Sequence, residues 1–494
     1  MTDRWLARYD AGPQNVRMLR RTKIVATLGP ATDDLEVLRG MCRAGLDVAR
    51  INFSHGTQEQ QRKRLVMLRE ACRLEGRVVG ILGDLAGPKI RIESFRDGPV
   101  QLVEGRPFAL DTALDPQGGT VEAVGCAYKN LPSDVAPGDT LLLNDGLIVL
   151  EVTGIQGTRI DTRVVAGGEL SNRKGVNRKG GGISAPALTE KDFEDIRFAA
   201  AEQLDYVALS FVRDAADIRK ARQLLDEAGS SARIVAKIER QEAIAHLSQI
   251  VDASDVVMVA RGDLGVEMGY AALTGLQKTI IQQTRNRNRL VITATQMMES
   301  MIQNPVPTRA EVSDVANAVM DGSDAVMLSA ESASGKYPVK AVAAMAEVIE
   351  GAEGYQLSSQ RVRHRAEGSF TGTEQAIANA VMYTANHMKV RAIVALTESG
   401  ATPLWMSRIR SDIPIYAFTR HEATRRRVTL YRGVYPVDFD VSPTALVTMA
   451  GAIFAQLLKL GLVDEGDLVI LTKGELTGVA GGTNSMQILP VRRP

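Results

Sequence analysis

The sequence predicts an α/β chain: a (β/α)8 TIM-type barrel, a β-barrel-like domain inserted into it, and a C-terminal α/β domain. Three observations carry this reading. Apolar runs of strand length alternate eight times with helical stretches, the pattern of right-handed βαβ units in a parallel sheet. The alternation is interrupted over residues 89–185 by short valine- and threonine-rich runs punctuated by Gly, Pro and Asp, which read as hairpins. Finally, Asn52, Asp84, Ser210, Lys237, Glu239, Asp263, Thr295 and Ser329 stand at or just beyond the C-terminal ends of their runs, the face on which such barrels carry chemistry. Scattered loop polar residues would not collect there.

Residues 1–20 lack clear periodicity and are expected to form an N-terminal arm or a short helix. The first strand runs from Lys23 to Leu28 and is stopped by Gly29 and Pro30, with a helix start at Asp33 and Asp34. A second run, Leu46 to Ile51, leads into Asn52, Phe53, Ser54, His55 and Gly56, followed by a helix over about 58–75 and a third strand ending near Asp84. Within the insert, the stretch Pro137 to Val152 carries Asp145-Gly146 between two apolar runs, and residues 171–182 form a basic, glycine-rich exit. Strands resume at Tyr206–Phe211, Ile234–Glu239, Val256–Ala260, Leu290–Thr295 and Ala325–Leu328. The barrel is therefore assigned to 21–88 and 186–356, the insert to 89–185, and the C-terminal domain to 357–494, after the polar stretch Ser358 to Arg365. In that domain we expect a helix over about 374–388, strands at Ala392–Leu396 and Ile413–Phe418, and a last strand at Leu468–Leu471.

The bulk numbers narrow the function classes. At 494 residues the chain is too long for one core, and 45% hydrophobic with 24% charged residues is ordinary for a soluble globular protein. A net charge of +1 gives no field for nucleic acid or a membrane surface, so partners must be recognised locally. Cys42, Cys72 and Cys126 are sparse and lack CxxC spacing, which argues against a disulfide framework or a zinc site. There is no apolar signal core and no uncharged run of membrane-spanning length. A cytoplasmic protein is expected.

The chemistry concentrates between Ile234 and Gly265. Side chains two apart on a strand share a face, so Lys237 and Glu239 project together, and Asp263 follows the next strand. A lysine beside two carboxylates suits a metal-held anion; taken singly, each is equally a solvated charge at a strand end. The loop Thr397 to Thr402, between a strand and a helix, offers hydroxyls and glycine of the kind that cradle phosphate or simply cap a helix.

Five ordered motifs resemble pyruvate kinases over nearly the whole length: Ala49 to Gly56, Asp84 to Arg91, Ile234 to Glu239, Ala260 to Asp263, and Ala294 to Met301 followed by Pro307 to Asn317. The resemblance implies transfer of a phosphoryl group from phosphoenolpyruvate to ADP, giving pyruvate and ATP. It implies Mg2+, or Mn2+ in its place, on Glu239 and Asp263, with Lys237 on the transferring phosphoryl group and enolate oxygen and Arg50 on the phosphate. Gly262, Asp263 and Thr295 would seat the substrate carboxylate, Ser210 and Phe211 would line the pocket, and a water near Thr295 and Ser329 would protonate the enolate. Asn52, His55, Arg91, Asp145 and Lys174 match nucleotide positions, and the insert is expected to close as a lid over ADP.

Members that need K+ hold it among residues matching Asn52, Ser54, Asp84 and the Leu85 carbonyl, and carry glutamate where this chain has Lys89; an internal ammonium there implies independence of K+. Thr397, Ser399, Gly400 and Thr402 match an effector loop in which Ala401 replaces a cationic residue, pointing to a sugar monophosphate or AMP as activator. Lys473 to Asn484 reads as a flexible glycine-rich loop opposite it, Ser329 to Ser332 departs from many members, and a homotetramer is the family expectation. A related magnesium-dependent barrel acting on phosphoenolpyruvate or pyruvate would lack the 89–185 insert, and an inactive metabolite-sensing relative would have lost Lys237 or a metal ligand.

Overall fold

The computed structural model describes residues 19–359, 370, 372–440, 449–474 and 482–493. Most of the expected N-terminal arm, the polar stretch from Gln360 and the centre of the glycine-rich loop at 475–481 lie outside the described residues.

Eight parallel strands close a barrel: β1 (Lys23–Leu28), β2 (Val48–Asn52), β3 (Gly80–Asp84), then, after the insert, β12 (Tyr206–Leu209), β13 (Arg233–Ile238), β14 (Val256–Ala260), β15 (Leu290–Ala294) and β16 (Ala325–Leu328). The strands read as unbroken apolar runs because both faces are covered. Ile24, Ala26 and Leu28 pack outward in one cluster with Leu38, Met41, Leu65 and Leu68 of the surrounding helices. Val25, of opposite parity, joins Val48, Leu82, Tyr206, Val235, Met258 and Ile292 in a second cluster. Two residues further along the same parity come Thr27, Arg50, Asp84 and Lys237. Strand periodicity alone thus puts the polar groups at the C-terminal mouth.

Local signals fix the flanking helices. Gln58–Glu75 begins with a capping box between Thr57 and Gln60 and ends at Gly76. Its Gln61 Nε2 donates to the carbonyls of His55 (2.7 Å) and Asn52 (3.3 Å), so the helix also pins the loop that follows β2.

The insert comprises β4 (Val100–Leu102), β5 (Pro107–Asp111), β6 (Ala123–Gly125), β7 (Thr140–Leu143), β8 (Ile148–Gln156), β9 (Arg159–Ala166), β10 (Gly168–Leu170) and β11 (Val176–Arg178). Six of these form one sheet in the order β11-β7-β8-β9-β5-β6, and β10 pairs with β4. The expected hairpin is β7–β8, turned by Asn144, Asp145 and Gly146 at φ 51°, 56° and 85°, residue types that tolerate the left-handed region. The insert has its own core, including Ile92, Phe108, Leu141 and Leu150. It meets the barrel where Gly182 N–H donates to Glu242 Oε1 (2.6 Å), Arg240 Nη2 donates to Ile183 O (2.9 Å), and Tyr270 OH donates to Asp145 O (3.4 Å).

The C-terminal sheet has the order β19-β18-β17-β20-β21, built from β17 (Ala392–Leu396), β18 (Ile415–Thr419), β19 (Val434–Asp438), β20 (Leu468–Gly474) and β21 (Thr483–Pro490). Two strands differ from expectation. Leu468–Leu471 is not the last strand, because β21 adds antiparallel to it and takes up Thr483 and Asn484, read from sequence as part of a flexible loop. β19 was not foreseen. Both are edge strands: β19 contains Pro436, and β21 is polar and half exposed, so neither shows a buried run. The domain is fastened to the barrel by buried charge, with Arg408 Nη1 and Nη2 at 2.9 and 2.5 Å from the Asp324 carboxylate and Lys23 Nζ donating to Val434 O at 2.7 Å. Among the described residues no helix is long and apolar enough to cross a membrane.

Candidate active site

β13 delivers Lys237 to the barrel mouth with its side chain 14% exposed. Its Nζ donates to Ser210 Oγ (2.6 Å) and lies 3.3 Å from Asp84 Oδ1 and 3.4 Å from Glu239 Oε2. Burial alone would depress this ammonium; Asp84 and Glu239 outweigh it and hold Lys237 above its ordinary value. Asp84 likewise overcomes its burial through Lys237 and Arg50 and stays below the usual carboxylate range. Arg50 Nε donates to Asp84 Oδ2 (2.7 Å) and its Nη1 to Thr27 Oγ1 (2.9 Å), while Ser210 Oγ donates to Leu85 O (2.8 Å). Arg50, Asp84, Ser210, Lys237 and Glu239 therefore form one connected group.

The carboxylates fit a hard divalent cation. Glu239 Oε1 accepts from Phe211 N–H (2.8 Å), but Glu239 Oε2 is buried with no hydrogen-bond partner. Burial, then the neighbouring carboxylates of Asp263 and Asp84, push Glu239 up against the pull of Lys237, so added positive charge is favoured there. Asp263 opens toward the same site from the first turn of the helix Arg261–Met268 and pairs with Lys89 Nζ at 3.1 Å. Among the described residues no group of three or more His, Cys, Asp and Glu assembles around one point; two carboxylates suffice for an ion that keeps positions for substrate and water.

On the far side of Asp263, Gly262 N–H donates to Thr295 Oγ1 (2.8 Å), and that hydroxyl donates to Ala294 O (2.6 Å). Thr295 (φ 70°), Gln296 (φ 52°) and Phe211 (φ 57°) all sit in the left-handed region, which is costly for non-glycine residues and persists where surroundings enforce it. Ser329 N–H donates to Glu331 Oε2 (2.6 Å) at the start of the short helix that follows β16.

The sequence-predicted nucleotide residues are spread over barrel and insert. His55 is pulled down by burial and then by the charges of Arg91 and Arg50. Arg91 Nη1 donates to Arg173 O (2.9 Å), and Ile92 N–H to Lys174 O (2.9 Å), so the start and end of the insert lie side by side. Asn52 Oδ1 accepts from Ser54 N–H (3.0 Å). Lys89 reaches Asp263, and the Leu85 carbonyl of the expected K+ cavity already accepts from Ser210. In the C-terminal domain, Thr397 Oγ1 accepts from Gly400 N–H (2.9 Å), Ser399 O accepts from Arg427, and the Thr402 hydroxyl donates to Glu374 Oε1 (2.6 Å).

Comparison with known proteins decides between the enzyme classes this arrangement admits. The family model "Pyruvate kinase, barrel domain" matches residues 19–342, and "Pyruvate kinase, alpha/beta domain" matches residues 375–489. The chain belongs to the pyruvate kinase family. It is 53% identical over 481 residues to pyruvate kinase II of Salmonella typhimurium, covering 96% of this chain and 99% of that one. Against the pyruvate kinase of Geobacillus stearothermophilus it is 42% identical, with 95% of this chain and 80% of that one covered. A crystal structure of a pyruvate kinase from Cryptosporidium parvum superposes with a TM-score of 0.88 at 34% identity, covering 96% of each chain. As a member of the pyruvate kinase family the chain is a phosphotransferase. Three residues in this site were not singled out from sequence: Thr27, Arg261 and Glu331. Thr27 was detectable as the residue of interior parity paired with Arg50, Arg261 lies inside the motif Ala260 to Asp263, and Glu331 lies in the divergent segment Ser329 to Ser332.

Proposed function

We propose that this chain transfers the phosphoryl group of phosphoenolpyruvate to ADP, giving pyruvate and ATP. The observation that carries this reading is the Lys237 ammonium, held charged between Asp84, Glu239 and Ser210 at the barrel mouth. Phosphoryl transfer needs positioning and charge neutralisation more than covalent help. Arg50 orients the phosphate, and Lys237 faces the phosphoryl group and then the enolate oxygen, stabilising charge where it develops. Gly262, Asp263 and the Thr295 hydroxyl seat the substrate carboxylate, Ser210 and Phe211 line the pocket, and Thr295 with Ser329 orders the water that protonates the enolate carbon. Glu239 and Asp263 are the residues that hold Mg2+, or Mn2+, which when bound neutralises charge on the transferred group. Replacing Lys237 with Met is expected to lower pyruvate formation by about a thousandfold or more while the protein stays folded. Undiminished turnover by a folded Lys237→Met variant would overturn the assignment.

The insert, taken as 89–185 between barrel segments 21–88 and 186–356, acts as a lid whose Arg91, Asp145 and Lys174 meet the nucleotide beside Asn52 and His55. Lys89 supplies the positive charge that K+ gives related enzymes; its ammonium beside Asp263 supports an internal cation within the site. The domain from 357 to 494 regulates turnover through the loop at Thr397, Ser399, Gly400 and Thr402, with a sugar monophosphate or AMP as activator. Titration with glucose 6-phosphate, ribose 5-phosphate, AMP and fructose 1,6-bisphosphate checks this, and no response to any of them removes the regulatory reading. The working state is a cytoplasmic homotetramer, checked by light scattering.

A further inference from the structure

We infer that Arg261 is a positioning residue for this reaction: its guanidinium grips the end of β15 and thereby fixes the Thr295 hydroxyl against the N–H of Gly262. Arg261 is the first residue of the helix Arg261–Met268, and its side chain is only 9% exposed. Rather than facing the site, it turns back into the barrel wall. Nε donates to Ala294 O (3.2 Å), and Nη2 donates to Thr295 O (2.7 Å) and Gln296 O (3.4 Å), three successive carbonyls. The other arm, Nη1, is anchored by Asp314 Oδ1 (2.7 Å) and Gln277 Oε1 (3.3 Å). A planar guanidinium with both edges engaged holds direction as well as distance, which a lysine at the same position does not reproduce.

What it holds is unusual backbone. Thr295 is β-branched at φ 70° and is followed by Gln296 at φ 52°, a pair that reverts to extended backbone unless enforced. The Ala294 carbonyl receives both Arg261 Nε and the Thr295 hydroxyl, so the same arginine fixes the acceptor that aims the hydroxyl. Gly262, next in sequence to Arg261, then donates its N–H to that hydroxyl at 2.8 Å. Arg261 and Gly262 thus clamp Thr295 from two sides. The alternative, a purely structural tie between the helix and the Asp314 helix, predicts loss of stability without change in the chemical step.

This inference rests on the reading that Thr295 seats the substrate and orders the protonating water. The test is a double-mutant cycle on the full-length enzyme with Arg261→Lys and Thr295→Ala, reading kcat, KM for phosphoenolpyruvate and ADP, and the solvent deuterium isotope effect on kcat. Arg261→Lys is expected to lower kcat by about tenfold or more, leave the ADP KM within about twofold, and raise the isotope effect as protonation becomes limiting. In the Thr295→Ala background the same change is expected to cost less than about threefold. If the two effects multiply, or kcat falls with an unchanged isotope effect, Arg261 is structural only. If Thr295→Ala alone leaves kcat unchanged, the reading of Thr295 fails and the inference falls with it. Should Arg261→Lys not fold, Asp314→Asn, which loosens the anchor at a half-exposed carboxylate, must move kcat and the isotope effect in the same directions; no change overturns the inference.

Discussion

Lys237 stays charged because two carboxylates offset its burial. A lysine this enclosed would ordinarily shed its proton, yet Asp84 and Glu239 hold the charge and Ser210 fixes its direction. The pairing of Lys237 with Glu239 was legible from their spacing, since a two-residue step on a strand determines a shared face. Arg261 was not legible in the same way, because its role lies in carbonyls of residues 294–296, more than thirty positions away, and backbone acceptors leave no mark on side-chain identity. The same limit applies to Glu331, whose two oxygens accept from the N–H groups of Met298 and Ser329. At this scale Arg91 gives a sharp prediction. Its charge helps to depress the His55 imidazole, and its backbone bridges Gly175 at the exit of the insert. Arg91→Ala is expected to raise the ADP KM by about tenfold and the phosphoenolpyruvate KM by much less, in steady-state kinetics; the reverse order would remove Arg91 from the nucleotide site.

Among elements, the barrel strands were foreseen to within two residues at nearly every end, because a doubly covered strand announces itself by an unbroken apolar run. The edge strands β19 and β21 were missed because they have no such run, and β21 also follows a glycine-rich segment that masks its start. The helix Arg261–Met268 carries Asp263, paired with Lys89, in its first turn, and Glu267, which meets the insert, near its other end. Glu267 accepts from Gln241 N–H (2.9 Å) and from the Asn177 side chain, with Arg240 and Glu242 nearby. Burial pushes its carboxyl up to about 7, against the pull of Gln241 N–H, Arg240 and Asn177 and with the help of Glu242. A folded value above the unfolded one means the folded state keeps the proton, so stability is fully present below about pH 4.5 and is lost as pH rises through about 7. The shift corresponds to roughly 3 kcal/mol once Glu267 is ionised. Melting wild type and Glu267→Gln between pH 5 and 8 should therefore show wild type losing ground to the variant as pH rises; parallel curves would refute the assignment.

For the molecule as a whole, the break in strand–helix alternation pointed to the insert and the polar stretch from Ser358 to a C-terminal domain, and the structure holds a closed barrel, a separate insert sheet and a C-terminal α/β sheet. The contacts that hold the parts together were not readable, since Arg408 with Asp324 and Lys23 with Val434 join residues that lie in different domains. β16 begins one residue after Asp324 and ends at Leu328, directly before Ser329 at the C-terminal mouth of the barrel. A buried pair of this kind is costly to break from one side, by about 3–5 kcal/mol, so removing either Arg408 or Asp324 is expected to destabilise the junction between the C-terminal domain and the barrel. The proposed reaction is phosphoryl transfer with Lys89 serving as the enzyme's own monovalent cation. The most direct measurement is pyruvate formation from phosphoenolpyruvate and ADP with Mg2+, in buffer free of sodium and potassium and again after potassium is added. Full turnover is expected without potassium, with little gain on adding it. Turnover only with potassium would contradict the role of Lys89, and no pyruvate in either buffer, with activators present, would contradict the reaction itself.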